Sequence, residues 1–287
     1  MKKIGLLFLI GLTCFFLFFK KGKEVKNIAL SYVTSPNYIN EDGITISERI
    51  LLPENFKRIT YPENSFSEYI QNYALLPFDS EVINYDGNPY IYQQGHVGVL
   101  DVSVPSHGLM QCADVLIRLR AEYLWKQNRK DEIGFNFTSG HYCSWKKYAE
   151  GYRPKINGNN VTFQKTAGAN ASQENFYNYL DLIYTYAGTM SLYAEMKKIS
   201  TLSDIEVGDM LIYPGSPGHV IMVADKAIHS EGKILFIFAQ GNTPSQSMHV
   251  LKNLNDLSKS PWYEIELGAS LQIPTYTFDE VKFIRFK

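Results

Sequence analysis

Two neighbouring stretches decide the fold class: residues 208–225, GDMLIYPGSPGHVIMVAD, and residues 232–242, GKILFIFAQGN. Each contains apolar runs of strand length, and Gly, Pro and Ser residues interrupt the runs where turns are expected. Strands in such close succession pair most simply as antiparallel neighbours. The strands predicted for this half of the chain are 209–213, 219–224, 234–240 and a final one at 281–286.

Helical patterns dominate the region before these strands. Residues 112–125, CADVLIRLRAEYLW, place apolar side chains at helical spacing after a strand-like run at 97–104. Ser172 is a suitable N-cap for a second helical pattern that Gly188 interrupts. Helices followed by a run of antiparallel strands indicate an α+β fold instead of alternating βαβ units.

Two further predictions concern the parts of the chain around these elements. A helix over residues 66–76 is predicted to begin at the cap Ser65 and to end before Pro77. Residues 133–171 are rich in Gly, Asn and Ser, so we expect loops there.

Composition excludes several classes of protein. The chain has 287 residues, 45% of them apolar and 20% charged, which is an ordinary globular balance. Without residues 1–24, the count is 23 Lys and Arg against 28 Asp and Glu. A nucleic-acid partner is therefore not expected, because phosphate contacts need a basic surface.

The N-terminal segment indicates export. Residues 4–19 carry no charge and are flanked by lysines, which leaves three alternatives: a cleaved signal, a retained membrane anchor, or lipid attachment at Cys14. The predicted divisions are a signal or anchor at 1–24, a lead-in packed on the core at 25–97, and the α+β core at 98–287.

Two cysteines remain in the body of the chain, and they differ in their surroundings. Cys112 opens the predicted helix, where free N–H groups and the helix dipole can lower a thiol pKa and stabilise an oxyanion. The alternative is a buried cysteine that packs as a small apolar residue. Cys143 lies in the aromatic stretch HYCSW, and we expect it to be unpaired and chemically idle, although two cysteines in an oxidising compartment could pair.

His219 and Gln240 complete a set of candidate catalytic residues. His219 begins a strand after the PGSPG turn, and Gln240 ends the next strand, so the two can lie side by side. We expect Cys112 Sγ within roughly 4 Å of a ring nitrogen of His219, and the Gln240 amide oxygen on the other ring nitrogen. Asp225 is a weaker candidate orienting group, and Gln240 could instead satisfy only loop backbone groups.

The segment from Gly208 to Asn242 resembles the C-terminal half of CHAP-type amidohydrolases and peptidases of the papain-like superfamily. The resemblance implies a papain-like core in which a helix-borne Cys packs on an antiparallel sheet. It implies Cys112 as nucleophile, His219 as base, and Gln240 or Asn242 as the orienting group. The interval of 107 residues from Cys112 to His219 is longer than in those compact domains.

Almost the whole chain beyond the N-terminal segment also resembles a family of exported bacterial proteins known as a domain of unknown function. The stretches that carry this resemblance are LMQCADVLIRLRAEYL, FNFTSG, YAGTMSL, the GD to PGH segment, and AQ followed by PSQ. It implies membership of that family and no particular activity.

Other kinds of site have little support. The six histidines show no HExxH motif and no Cys/His zinc spacing, so no metal or cofactor is expected. Ser139 lacks the GxSxG elbow of a serine nucleophile. The charges at Asp114, Arg118, Arg120 and Glu122 are interpreted as a solvated or structural ion-pair face of the helix, and substrate binding is the less favoured alternative.

The functional hypothesis is thiol-dependent hydrolysis of an amide or peptide bond, with a peptide or cell-wall fragment as substrate. Export predicts a periplasmic protein or one anchored in the cell envelope, attached to the membrane if the N-terminal segment is retained. The alternative is a non-catalytic envelope binding or scaffold protein with the same fold.

Overall fold

The structure is a computed structural model that describes residues 37–287. The helices of this part of the chain are α1 (Ile46–Arg49), α2 (Phe66–Gln71), α3 (Cys112–Lys126), α4 (Trp145–Ala149), α5 (Gln173–Tyr186) and α6 (Thr189–Glu195). The first seven strands are β1 (Phe56–Arg58), β2 (His96–Val99), β3 (Gly134–Asn136), β4 (Tyr142–Ser144), β5 (Tyr152–Asn157), β6 (Asn160–Lys165) and β7 (Lys197–Ile199). The remaining strands are β8 (Met210–Tyr213), β9 (His219–His229), β10 (Ile234–Gln240), β11 (His249–Leu251), β12 (Leu271–Ile273), β13 (Tyr276–Phe278) and β14 (Phe283–Arg285).

One antiparallel sheet organises the protein. Its strand order is β2–β11–β10–β9–β8–β14–β7, and β1 pairs with the distal end of β9. The predicted α+β class is confirmed, with the helices packed around mostly antiparallel sheets. The four strands predicted in the C-terminal half are all present, although the last covers only Phe283–Arg285.

Strand β9 is longer than predicted and forms the centre of the sheet. The predicted strand ends at residue 224 because Asp225 and Lys226 interrupt the apolar run. Both are buried, but Asp225 pairs with Arg58 at 2.7 Å and Lys226 Nζ donates to two backbone carbonyls. The strand can continue because these buried polar groups are paired.

Helix α3 begins at Cys112, as the sequence predicts, and packs against β9. The side chains of Val115, Leu116 and Leu119 on this helix are completely buried. Asp114 Oδ2 accepts the backbone N–H of Gln111 at 2.9 Å, which satisfies a donor at the start of the helix. The position of Cys112 therefore follows from the contact of Asp114 with Gln111 at the helix start and from the apolar face of the helix.

The lead-in contributes strands to the main sheet. Residues 56–58 of β1 pair with 227–229 of β9, and β2 pairs with β11. Strand β2 includes residues 96 and 97, which lie before the predicted start of the core at 98. The ion pair of half-buried Arg58 with buried Asp225 adds a side-chain link between lead-in and core.

The prediction of loops over 133–171 is wrong. This stretch contains the hairpins β3–β4 and β5–β6 and the short helix α4. In the second hairpin Asn157 pairs with Asn160, and Gly158 at φ 58° occupies the turn between them. The Gly and Asn residues that suggested loops are therefore the turn residues of hairpins.

The helical predictions are confirmed in position but differ in length. Ser65 and Ser172 cap α2 and α5, and Gly188 separates α5 from α6. The prediction that α2 reaches residue 76 is wrong, because it ends at Gln71. Leu75 N instead donates to Ile44 O at 2.8 Å, so tertiary pairing of the backbone replaces the last helical turn.

The predicted signal or anchor at 1–24 lies outside the described residues. Within residues 37–287, no helix is both long enough and apolar enough to span a membrane.

Candidate active site

The start of α3, the start of β9 and the end of β10 converge at one cavity of about 580 Å³. Cys112, His219 and Asn242 line it, together with Tyr276 of the β12–β13 hairpin. Gln240 lies directly behind His219 and is completely buried. The structure thus brings the three predicted catalytic residues to one place, although only two of them line the cavity.

Cys112 is held where α3 meets the end of β10. A Cβ atom added to Gly241 would lie 2.8 Å from a methyl carbon of Val115 and 3.7 Å from Cys112 Cα. Only glycine allows the chain that follows Gln240 to approach the helix this closely. The contact fixes the distance between the cysteine and the strand that carries Gln240.

The Cys112 thiol is mainly in the neutral form at rest. Its side chain is buried, and this burial, followed by the nearby carboxyl of Asp114, raises the thiol pKa to about 11. The backbone N–H groups of Val220, Ala113 and Cys112 itself act in the opposite direction. The sequence-based expectation of a lowered pKa at the helix start is wrong, because desolvation outweighs the helix terminus.

His219 is positioned by the turn before it and by two aromatic rings. A Cβ atom on Gly218 would lie close to Thr189 Oγ1, so the turn docks tightly on the start of α6. The imidazole ring centroid lies 4.7 Å from that of Tyr276 and 5.7 Å from that of Phe278. Burial lowers the pKa of His219, which favours the neutral base form near pH 7.

Gln240 contacts His219 through its side-chain amide. The Nε2 atom of His219 lies 2.9 Å from Oε1 of Gln240. In the register of β9 and β10, Ala239 pairs with Met222, so Gln240 lies diagonally across from His219. The expected contact between the two side chains is therefore present, and it leaves Nδ1 of His219 available.

Among the described residues, no hydrogen bond joins Cys112 Sγ to the His219 ring. The thiol lies instead near the backbone N–H of Val220, the residue after His219, and both side chains line the same cavity. Contact between the sulfur and the imidazole within 4 Å stays a prediction.

The alternative orienting groups make other contacts. Asn242 lines the cavity, but its amide oxygen accepts the N–H of Thr243 and its amide nitrogen lies 3.5 Å from Thr275 Oγ1. Asp225 bonds to Arg58 and to Gln71. Gln240 is thus the candidate that contacts the imidazole.

The family match places these residues in a known group of sequences. It extends over residues 46–285 and so includes the lead-in, the cavity and the last strand of the sheet. The chain belongs to the family described as Domain of unknown function (4846). Comparison with curated proteins found no match, and comparison with solved structures also found none.

His249 and Thr275 are neighbours of the site that the sequence did not predict. Gln240 Nε2 lies 3.3 Å from His249 Nε2 and 3.1 Å from Thr275 Oγ1. His249 stands opposite Gln240 in the register of β10 and β11. The apolar residues Val250 and Leu251 directly after His249 are a signal for a short strand that could pair with the strand of Gln240.

The charges on α3 form an ion-pair face only in part. Arg118 and Glu122 pair at 2.7 Å and are largely buried. Asp114 does not join them, and within the described structure its Oδ1 has no hydrogen-bond partner. Burial raises the pKa of Asp114 to about 7.

The remaining candidate groups lie away from this chemistry. Cys143 is free and buried, and burial raises its pKa to about 12. Ser139 Oγ lies 3.1 Å from His141 Nδ1 in the turn between β3 and β4. Within residues 37–287, no group of three or more His, Cys, Asp or Glu side chains could hold a metal ion.

Proposed function

We propose that this protein is a thiol hydrolase that cleaves an amide or peptide bond, with a papain-like arrangement of its catalytic residues. The observation that carries the proposal is that Cys112 and His219 line one cavity while Gln240 contacts the His219 ring from behind. The chain order of helix-borne Cys, strand-borne His and polar residue on the next strand supports it.

Before the reaction, the Cys112 thiol and the His219 imidazole are both uncharged. With a thiol pKa of about 11, only about one thiol in ten thousand is ionised at pH 7, so the base must act during attack. His219 Nδ1 takes the proton from Cys112 Sγ as the sulfur bonds to the substrate carbonyl carbon. The backbone N–H of Cys112 then stabilises the oxyanion.

Collapse of this intermediate breaks the C–N bond. The protonated His219 gives its proton to the leaving amine, and a thioester remains on Cys112. Water, deprotonated by the same imidazole, then attacks the thioester carbonyl and breaks the C–S bond, which releases the acid. The imidazolium returns its proton to the departing thiolate, so that the thiol and the neutral His219 are restored. Gln240 holds the ring through both halves of the cycle.

A peptide of the cell wall is the proposed substrate, and the cell envelope is the proposed location. A cavity of about 580 Å³ is the size of a site for a small ligand or a few peptide residues. The uncharged run at 4–19 between lysines supports export, with attachment to the membrane if that segment is retained.

A non-catalytic envelope binding or scaffold protein is the second candidate. The raised pKa of Cys112 favours it, as does the lack of a hydrogen bond from this thiol to His219 among the described residues. Such a protein would bind fragments in the same cavity without cleaving them.

The test uses soluble peptide fragments from a purified bacterial cell wall. Mass spectrometry should find cleaved amide bonds with the wild-type protein and with Cys143→Ala, and none with Cys112→Ala. Equal cleavage by Cys112→Ala would refute the thiol mechanism. Calorimetric binding of fragments that the wild type leaves intact would support the scaffold protein instead.

A further inference from the structure

A series of contacts between buried side chains connects His219 on β9 with β11, two strands away in the sheet. His219 contacts Gln240 at the end of β10, and Gln240 contacts His249 at the start of β11. His249 in turn contacts the carbonyl oxygen of Ser247. His219, Gln240 and His249 are all at least 96% buried, so water competes little for their hydrogen bonds.

The carbonyl oxygen of Ser247, the last group in this series of contacts, fixes the tautomer of His249. Its Nδ1 lies 2.9 Å from Ser247 O, which can only accept a hydrogen bond, so Nδ1 must carry a hydrogen. Burial lowers the pKa of His249 to about 4, so the ring is neutral near pH 7. Its Nε2 therefore has a lone pair and no hydrogen.

The tautomer of His249 then fixes the amide of Gln240. The amide atom that lies 3.3 Å from the bare Nε2 must be a donor, so it is the nitrogen. Thr275 Oγ1, at 3.1 Å, accepts the second hydrogen of this nitrogen. The Gln240 oxygen must therefore face His219, and Nε2 of His219 must donate to it.

We propose that His249 is a positioning residue that, through the Gln240 amide, sets His219 in the tautomer with hydrogen on Nε2 and a lone pair on Nδ1. The catalytic meaning of this inference rests on the proposed function, since Nδ1 is the atom that would take the Cys112 proton. The tautomer itself is a property of the resting protein.

Loss of the acceptor on His249 allows the side-chain amide of Gln240 to exchange the positions of its oxygen and nitrogen. In His249→Leu, only Thr275 remains to orient Gln240, and a hydroxyl can serve as donor or as acceptor. A flipped amide would present its NH₂ to Nε2 of His219 and favour the tautomer with hydrogen on Nδ1. In that tautomer, Nδ1 cannot accept the proton of Cys112. In His249→Gln, Ser247 O can only accept a hydrogen bond and would take the new NH₂ group, as it takes Nδ1–H of His249. The amide oxygen of the variant would then face Gln240 as an acceptor, so His249→Gln should restore the wild-type state.

Nitrogen-15 NMR of the imidazole rings tests the proposal without any substrate. In the wild type, His219 should show a protonated Nε2 and a bare Nδ1; a protonated Nδ1 would overturn the proposal. His249→Leu should give a mixed population, while His249→Gln should match the wild type. His96→Leu is the matched control, because His96 packs 6.0 Å from the His249 ring but does not contact Gln240.

Kinetics provide the second readout. If the protein hydrolyses peptides, His249→Leu should lower kcat at least twofold with KM unchanged, and His249→Gln should recover it. An unchanged His219 tautomer in a folded His249→Leu protein overturns the positioning role, whether or not the protein is an enzyme. The expected tautomers together with an inert Cys112 would refute the hydrolase and leave the positioning role supported.

Discussion

Substitution of Asp114 by asparagine should change how stability depends on pH. Asp114 is 6% exposed, its Oδ1 lacks a partner among the described residues, and burial raises its pKa to about 7 from an ordinary value of 3.8. The folded state therefore holds a proton that the unfolded chain has released. In the window between these two pKa values, wild-type stability falls as pH rises.

The magnitude follows from the size of the shift. About three pKa units at about 1.4 kcal/mol each give a loss of about 4 kcal/mol between pH 3 and pH 8. Asp114→Asn cannot ionise, yet its amide oxygen can still accept the N–H of Gln111. The variant should therefore gain stability over the wild type progressively above pH 4.

Urea unfolding at a series of pH values measures this difference. Asp79→Asn, at an exposed position, controls for the loss of one surface charge. The difference in unfolding free energy between Asp114→Asn and the wild type should grow by about 4 kcal/mol from pH 3 to pH 8. Parallel curves over this range would refute the reasoning.

Two other predictions concern the residues that hold the site together. Gly241→Ala should lower stability by about 1–3 kcal/mol in urea unfolding, because its Cβ would lie 2.8 Å from Val115, whereas Gly168→Ala has open space and should lose far less. Gln240→Ala should slow alkylation of Cys112 by iodoacetamide near neutral pH about fivefold, the equivalent of one hydrogen bond of about 1 kcal/mol. An unchanged rate would show that Gln240 does not assist the base.

The sequence predicted the sheet best where apolar runs end at turns. Residues 234–240 match β10 in full, because the apolar run at 234–239 and the GN turn directly after Gln240 leave little choice of strand bounds. The predicted strand is shorter than β9 because Asp225 and Lys226 interrupt its apolar pattern. The groups that pair with these buried residues are distant in sequence. Such partners have no local pattern that a sequence can reveal.

The candidate site shows the same division between local and distant information. The helix start at Cys112 and the strand start at His219 are set by nearby caps and turns, so both could be predicted. The raised pKa of Cys112 could not, because it depends on how deeply α3 packs against the sheet. The contact of His249 with Gln240 depends on the register of β11 and was missed for that reason.

The rate of Cys112 alkylation as a function of pH, in the wild type and in His219→Ala, tests the central claim most directly. If His219 accepts the thiol proton, the wild type should react at neutral pH at a rate that levels off above the lowered pKa of His219. His219→Ala should lose this reaction and respond only as pH approaches the thiol pKa of about 11. Identical profiles for the two proteins would contradict a functional pair of Cys112 and His219.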